Sequence, residues 1–266
     1  SATQDQMSRM TGVMRPLCWL ALLWAMACCF WAAGLKAAEL PFAVGEKLEY
    51  ELKWEFVPAG RASLEVLPNG EDQVEGHRFL LRVRSNSFVD LFYKVRERIE
   101  SFTDGDVSRS LLYKEQNRGS ERKDVVVRFD WEEHTAQYAN FGKKRDPIEI
   151  APGTFDPLAS FYAFRLHDLE GRSSISFPVT DGKKHFTAKV LIKGKRRIEV
   201  GKRSYVTYLI EPEVNYFGGV FAKSENPRVK LWLTADERKI PVKIEVKVVV
   251  GSIIAELIDA RFGTKR

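Results

Sequence analysis

Histidine, cysteine and carboxylate side chains are the groups that a metal site needs, and their spacing in this chain does not fit one. No two histidines have the His-x-His or His-x-x-x-His spacing that places two ligands on one metal ion. They lie far apart, at His77, His134, His167 and His185. The three cysteines lie in one apolar N-terminal segment, at Cys18, Cys28 and Cys29. We therefore expect no metal and no cofactor.

Ser160, His167 and Asp156 have the residue types of a hydrolytic triad, but their spacing opposes that function. On the helix predicted for this region, Ser160 and His167 lie about 10 Å apart along the axis. That separation is too large for proton transfer between the two side chains. The chain also contains no Gly-x-Ser-x-Gly motif and no phosphate-binding loop. We predict no catalytic residues, and the sequence disfavours an enzyme.

An uncharged apolar segment near the N-terminus predicts export from the cytoplasm. It covers residues 17–35, follows Arg15 and precedes Lys36 and two alanines. A basic residue, an apolar stretch and small residues at the end are the three parts of a secretory signal peptide. We predict a signal peptide over residues 1–37, cleavage after Ala37 and a periplasmic protein. The alternative is an uncleaved membrane anchor at 17–35, since an apolar segment of that length can cross a bilayer.

The part of the chain after the leader has the composition of an ordinary folded protein. All three cysteines leave with the leader, and the remaining chain is long enough to bury a core without disulfides. The full chain has 42 basic and 36 acidic residues and a formal net charge of +6. Such a near balance argues against DNA or RNA as a partner. Two short basic runs, at 142–145 and 193–197, fall at predicted turns, where anionic lipid headgroups or solvent alone would account for them.

From Gly45 onward the dominant period is two, which predicts antiparallel β-strands with one wet face. In the first strand, over 48–56, the even positions are apolar and the odd positions are charged. The run Pro58-Ala59-Gly60 predicts the turn into the second strand. Further strands are predicted at 62–66, 79–83, 93–102, 110–116, 124–131, 134–141, 174–178, 185–193, 196–200, 205–211, 229–233, 240–250 and 253–258.

Glycines predict where several of these strands end. Asp181-Gly182 and Lys193-Gly194-Lys195 have the composition of hairpin turns. Gly251-Ser252 interrupts the last alternating run, as a β-bulge or a corner would. We expect few long loops between the strands.

One helix is predicted over about residues 156–169. Asp156 suits the N-cap, Pro157 suits the first helical position, and Gly171 suits the stop after the last turn. The predicted fold is therefore mainly β, an antiparallel curved sheet or a partly open β-barrel with this one internal helix. Residues 38–266 are predicted to form a single domain.

A curved sheet capped by a helix can enclose an apolar cavity, and the aromatic residues indicate where its ligand site would lie. Some lie on the predicted helix, one on the first strand, and others in a glycine-containing loop that would form the lip. Arg165 falls on the apolar face of the helix. Three roles are open for its guanidinium: it binds an anionic headgroup, it extends towards solvent, or it is held by a carboxylate. The predicted ligand-binding residues are Trp54, Phe161, Tyr162, Arg165, Tyr216, Phe217 and Phe221.

Four segments resemble a known family in their order and spacing. They are Pro41-Phe42-x-Val44-Gly45-Glu46-x-Leu48-x-Tyr50, Val57-Pro58-Ala59-Gly60, Asp156-Pro157-Leu158-Ala159-Ser160-Phe161-Tyr162 with Arg165, and Leu231-Trp232-Leu233-Thr234-x-Asp236-x-Arg238-x-Ile240-Pro241-Val242. From Pro41 to Leu257 the chain resembles the bacterial exported family called domain of unknown function 3108. The resemblance implies a secreted or periplasmic protein of Gram-negative bacteria, β-rich and similar in shape to open-barrel lipoprotein carriers. It supplies no catalytic residues.

The function favoured by these expectations is the binding of an apolar or amphipathic cell-envelope component by a periplasmic, non-enzymatic protein. The partner would be a lipid or another amphipathic ligand, or an envelope protein, and the part after the leader would not span a membrane. One alternative is a protein–protein scaffold in envelope assembly, and another is an envelope glycan or lipid hydrolase. A cavity of several hundred Å³ beneath the helix would favour the carrier, whereas a filled interior would favour the scaffold.

Overall fold

The computed structural model describes residues 40–69, 76–213, 228–248 and 251–263. The predicted signal peptide, residues 1–37, lies outside the described residues. The strands are β1 (Lys47–Trp54), β2 (Val57–Leu67), β3 (His77–Ser85), β4 (Arg96–Thr103), β5 (Ser110–Arg118), β6 (Arg122–Asp130), β7 (Thr135–Asn140), β8 (Lys143–Lys144), β9 (Ile148–Glu149), β10 (Ser174–Thr180), β11 (His185–Val200), β12 (Arg203–Pro212), β13 (Arg228–Thr234), β14 (Pro241–Val248) and β15 (Gly251–Arg261). The helices are α1 (Ser87–Asp90) and α2 (Pro157–Arg165).

The described strands form one antiparallel sheet in which neighbours along the chain are mostly neighbours in space. The order runs from β10 to β15, then from β1 to β8, with β9 paired to β7. Strand β15 pairs with β1, so that Lys47 lies opposite Arg261 and the two ends of the sheet-forming chain meet. Within β1, Leu48 and Tyr50 are buried, and Glu49 between them faces the other side of the sheet, as the alternation predicts.

The sheet curves strongly enough to enclose α2. This helix packs against β3 and β4 and also against the edge strand β10, which lies far from them in the strand order. The segment before the helix links the two regions, because Phe155 pairs with Val179 of β10 and the Ser110 amide of β5 donates to the Thr154 carbonyl at 3.1 Å. The sheet is nonetheless not closed by strand pairing. The predicted fold, an antiparallel curved sheet with an internal helix, is confirmed.

Two apolar clusters fill the concave side of the sheet. The larger one surrounds α2 and includes Phe42, Phe79 and Tyr162. The smaller one lies on β5, β6 and β7 and includes Tyr113 and Val127. Because Leu158, Ala159, Tyr162, Ala163 and Phe164 of α2 are buried in the larger cluster, the helix is a structural part of the core. Neither helix in the described ranges has the length and apolar character needed to cross a membrane.

The first predicted turn is wrong by three residues. The chain turns at Glu55 and Phe56, and Pro58, Ala59 and Gly60 already belong to β2. Glu55 takes a positive φ of 54°, a conformation that its residue type does not indicate. The register between β1 and β2 shifts at Leu52/Lys53, which accommodates the proline within the strand.

The predicted hairpin at Lys193-Gly194-Lys195 is also wrong, because β11 runs through it as one strand of 16 residues. The register with β12 shifts between Ile192 and Lys195, and Gly194 has a φ of +84°. The glycine therefore serves a β-bulge instead of a turn. At Gly251 the chain does not form a corner within one strand, since β14 and β15 pair as a hairpin with Val248 opposite Gly251.

Helix α2 is shorter than the predicted 156–169. It ends at Arg165, and the next two amides bond three residues back, from Leu166 to Ala163 and from His167 to Phe164. Such tightened bonds are usual in a terminating turn. Gly171 has the positive φ expected of a stop but lies beyond the helix end.

Candidate functional site

Helix α2 is held in place at its first turn by a buried carboxylate. Asp156 accepts hydrogen bonds from the amides of Leu158 and Ala159, both at 2.9 Å. Its second oxygen accepts the hydroxyls of Ser101 and Ser110, both at 2.6 Å, which tie the helix to β4 and β5. Burial raises the pKa of Asp156, and these hydrogen bonds oppose the rise. The residue is the N-cap that the sequence predicts, with a second role in joining helix and sheet.

The space beneath α2 is filled by aromatic rings. Tyr162 stacks on Phe79 with ring centroids 3.8 Å apart, and Phe42 meets both rings edge-on. Phe161 packs beside Tyr162 and is half-buried. The Tyr162 hydroxyl is buried and has no hydrogen-bond partner among the described residues. These contacts leave the helix packed directly on the sheet.

Arg165 is fully buried and bound by a carboxylate. Its guanidinium forms a bidentate pair with Glu46, at 2.6 and 3.0 Å, and its Nε donates to the Arg238 carbonyl at 3.0 Å. The guanidinium also lies over the rings of Phe42 and Tyr162. Of the roles that the sequence left open, the structure shows the one in which a carboxylate holds the arginine. The pair joins the helix to the residue preceding β1.

The structure brings together only part of the predicted ligand site. Phe161, Tyr162 and Arg165 share α2, and the two aromatic side chains also belong to the large core cluster. Trp54 ends β1, is 44 % exposed and is not among the side chains of that cluster. The predicted lip residues lie within 214–227, outside the described residues, and are Tyr216, Phe217 and Phe221. The predicted set is therefore not a single pocket among the described residues.

A different group of apolar side chains is exposed at one end of the sheet. Phe56 is 90 % exposed, Leu91 is 78 % exposed and Phe92 is 75 % exposed. They belong to the β1–β2 turn and to the connection between β3 and β4. We call this surface the apolar rim, and it consists of Trp54, Phe56, Val57, Phe88, Leu91, Phe92 and Tyr93.

Polar contacts join the two halves of the apolar rim. The side chain of Asn86 donates to the Pro58 carbonyl at 2.6 Å, and its amide donates to the Ala59 carbonyl at 2.8 Å. Its side-chain oxygen also caps α1 by accepting the Val89 amide. The two segments therefore form one surface, and the hydrogen bonds of Asn86 hold them together.

An ion pair attaches α1 to strand β4. Asp90 binds the Arg96 guanidinium of β4 and accepts the hydroxyl of Ser85. These polar side chains are partly buried, whereas the apolar side chains of the same segment are exposed. Such a distribution is the reverse of an ordinary surface loop, and it is typical of a segment that contacts an apolar partner.

The sequence analysis missed a group of inward-facing charges on β4, β5 and β6. Burial and the neighbouring Glu115 carboxylate raise the pKa of Glu97 to about 7. Glu115 binds Lys123 at 2.8 Å and accepts a hydrogen bond from Tyr113 at 3.2 Å. Glu97 lies two residues before the partly buried Ile99 on β4, so both side chains face the same side of the sheet. This spacing is the sequence feature that could have indicated the inward orientation of Glu97.

The described residues that the sequence offered for metal binding or a hydrolytic triad have other roles. Among the described ranges no group of three or more His, Cys, Asp or Glu side chains is placed to hold a metal ion. The Ser160 hydroxyl donates to the Pro157 carbonyl, and Asp156 is occupied by its capping bonds. The candidate functional site among the described residues is the apolar rim, on the evidence of its exposed side chains.

Comparison with known proteins agrees with this architecture. A family model described as "Protein of unknown function (DUF3108)" matches residues 49–258. Among solved structures, the β-barrel-like protein of domain of unknown function DUF1849 from Brucella abortus is similar, with a TM-score of 0.57 and 14 % identity, covering 84 % of this chain and 99 % of that chain. That likeness concerns the fold alone. No curated protein matches. The family match extends over most of the chain and includes α2 and nearly all of the sheet, so the chain belongs to the DUF3108 family, as its motifs predict.

Proposed function

We propose that this chain is an exported, non-enzymatic protein of the bacterial cell envelope that binds an apolar or amphipathic envelope component. The observation that carries the proposal is the apolar rim, whose central side chains Phe56, Leu91 and Phe92 are almost fully exposed. A chain that keeps such side chains in water has usually placed them there to meet a partner. The apolar N-terminal segment supports export, and residues 1–37 are its predicted leader.

The proposed binding surface lies outside the core and not beneath α2. Tyr162, Phe79 and Phe42 occupy the space where a ligand cavity was expected. Opening that space would break the stacked rings and the Arg165–Glu46 pair. Binding at the apolar rim requires no such rearrangement.

The rim is large enough to support measurable binding. Complete burial of one large apolar side chain contributes roughly 1.5–3 kcal/mol. Three such side chains would contribute several kcal/mol before the entropic cost of association is subtracted. The proposal therefore predicts moderate, reversible binding of an amphiphile.

The test uses dodecylphosphocholine micelles and the protein expressed with its own leader. The tryptophan fluorescence of the wild type is expected to change on micelle binding, because Trp54 lies in the rim. The triple variant Phe56→Ser, Leu91→Ser, Phe92→Ser is expected to bind about tenfold or more weakly, since tenfold is about 1.4 kcal/mol. Val206→Ser is the control, because Val206 is about half exposed and lies on β12.

Two results would contradict the proposal. One is the absence of micelle binding by the wild type, and the other is equal binding by the wild type and the triple variant. The intact mass of the protein from the periplasmic fraction tests export in the same preparation, with loss of residues 1–37 expected. Retention of the whole chain in the cytoplasmic fraction would contradict that part.

A protein–protein scaffold is the second candidate, and the filled space beneath α2 favours it. An apolar surface next to a packed interior suits a protein interface as well as an amphiphile. Under this alternative the wild type does not bind micelles. A photoreactive residue at position 92 crosslinks to an envelope protein, and Phe56→Ser with Leu91→Ser abolishes that crosslink.

A further inference from the structure

Two arginines lie directly opposite one another on β2 and β3, and neither forms an ion pair with a described residue. Arg61 pairs with Arg84 in the strand register, and both side chains are exposed. Neither guanidinium has an ion pair or a hydrogen bond to any described residue. Like charges at directly opposed positions destabilise a sheet. The arrangement is therefore costly unless an anion joins it.

The neighbouring arginines on β3 and β4 have carboxylate partners. Arg82 binds Glu65 at 2.6 Å, and Arg78 and Arg98 bind Glu100 at 2.6 and 2.5 Å. Arg96 is bound by Asp90 beneath the apolar rim. Glu51 of β1 lies opposite Arg61 in the strand register, but its carboxylate is directed to Lys53, at 3.6 Å. The arginines around the opposed pair therefore have ion-pair partners among the described residues, whereas Arg61 and Arg84 do not.

The opposed pair lines a shallow depression on the outer face of the sheet. Its volume is about 160 Å³, below the roughly 300–1,000 Å³ of pockets that enclose whole small-molecule ligands. Such a depression suits a compact anionic headgroup but not an acyl chain. Among its lining residues are Glu49, Arg61, Ser63, Arg82, Arg84 and Ile258. Glu49 binds Lys47 at 2.7 Å, so its charge is already balanced.

The arginine pair adjoins the apolar rim. Arg84 is two residues before Asn86, the cap of α1, and Arg61 is two residues after Ala59. The Asn86 amide donates to the Ala59 carbonyl at 2.8 Å, so the two strands are joined where the rim begins. Further along the same end, the Lys94 amide donates to Ser120 of the β5–β6 turn.

The charges at this end of the sheet are mainly basic. Exposed cations are Lys94, Arg118 and Arg122, together with the opposed pair. The acidic residues nearby are engaged, because Glu55 accepts the Ser252 amide at 2.6 Å and Glu121 bonds with Tyr93. An apolar surface bordered by unpaired cations is complementary to a bilayer with anionic headgroups.

We infer that the apolar rim and the Arg61–Arg84 pair together dock the protein on an anionic phospholipid bilayer. The rim side chains enter the interfacial region, and the two guanidiniums bind headgroup phosphates in the depression. This inference rests on the proposed function and names its partner. Basic residues are attracted to an anionic bilayer and salt screens that attraction, so binding depends on anionic lipid and weakens as the salt concentration rises.

The test compares two kinds of vesicle, pure phosphatidylcholine and phosphatidylcholine with about one-third phosphatidylglycerol. By vesicle sedimentation, the wild type is expected to bind the anionic vesicles about tenfold or more tightly. The double variant Arg61→Gln, Arg84→Gln is expected to lose most of this preference, with Lys94, Arg118 and Arg122 retaining the remainder. The control is Arg197→Gln, Arg203→Gln, which removes the same charge from exposed positions on β11 and β12 and is expected to behave as wild type.

The outcomes separate this inference from the proposed function. Equal wild-type binding to both vesicles, or an equal loss in the two double variants, overturns the docking inference. Micelle binding without vesicle binding also overturns it and leaves the proposed function standing. If the wild type binds neither micelles nor vesicles, the inference and the proposed function are overturned together. Circular dichroism of each variant checks that it folds, and all four substituted arginines are exposed.

Discussion

Arg165 and Glu46 form a buried charged pair in which every guanidinium nitrogen has a hydrogen-bond partner. The pair is bidentate, and the remaining guanidinium nitrogen donates to the Arg238 carbonyl, so all three guanidinium nitrogens make a hydrogen bond. A buried charge is tolerated under such conditions because Coulomb attraction and hydrogen bonds offset the cost of desolvation. We therefore assign Arg165 a structural role.

Arg165→Ala is expected to lower the free energy of unfolding by about 3–5 kcal/mol, because it leaves the Glu46 carboxylate buried and unpaired. The double variant Arg165→Met, Glu46→Leu is expected to lose less than the single variant. Denaturant unfolding measures both. If Arg165→Ala is as stable as the wild type and binds micelles more weakly, Arg165 is instead a ligand-binding residue.

At the scale of elements, α2 depends on contacts that its own sequence does not supply. Asp156 caps the helix and also receives two serine hydroxyls from β4 and β5. The helix has only 9 residues, and isolated helices of that length are unstable in water. Its formation therefore depends on the sheet that surrounds it.

Asp156→Ala is expected to lower the free energy of unfolding by about 2–3 kcal/mol, through loss of the cap and of partners for Ser101 and Ser110. Asp156→Asn is the matched control and is expected to lose less, because its amide oxygen can still accept the helix amides. Thermal or denaturant unfolding measures both variants. Equal losses in the two variants would show that the negative charge, and not the capping geometry, holds the helix.

At the scale of the whole molecule, the inward-facing carboxylates link stability to pH. The pKa of Glu97 is about 7 in the folded protein and about 4.3 in an unfolded chain. Between these values the folded protein binds more protons than the unfolded chain. The contribution of Glu97 to the free energy of unfolding therefore falls as the pH rises through that interval.

Glu97→Gln is expected to remove this decline. Relative to the wild type, the variant should gain about 1 kcal/mol on going from pH 5 to pH 8, after allowance for the partial exposure of Glu97. The measurement is denaturant unfolding of both proteins at the two pH values. Parallel pH profiles for the two proteins would show that Glu97 titrates near its usual pKa.

Local patterns predicted the elements well where one strand face is buried and the other wet. The alternation at 48–54 and the cap at Asp156 each rest on neighbours within a few residues, and both are confirmed. The errors at Pro58 and Gly194 have a common cause, because turn-forming residues also occur in bulges and register shifts. Whether such a residue turns the chain depends on the partner strand.

The sequence by itself determined the family, the β class and the internal helix, because periodicity, capping residues and ordered motifs are local properties of the chain. The tertiary structure alone decided which side chains meet. Glu46 and Arg165 are separated by 119 positions, and no local pattern pairs them. The same holds for the apolar rim and the Arg61–Arg84 pair, which exist only because the strand register places distant turns side by side. Long-range register therefore set the candidate binding surface.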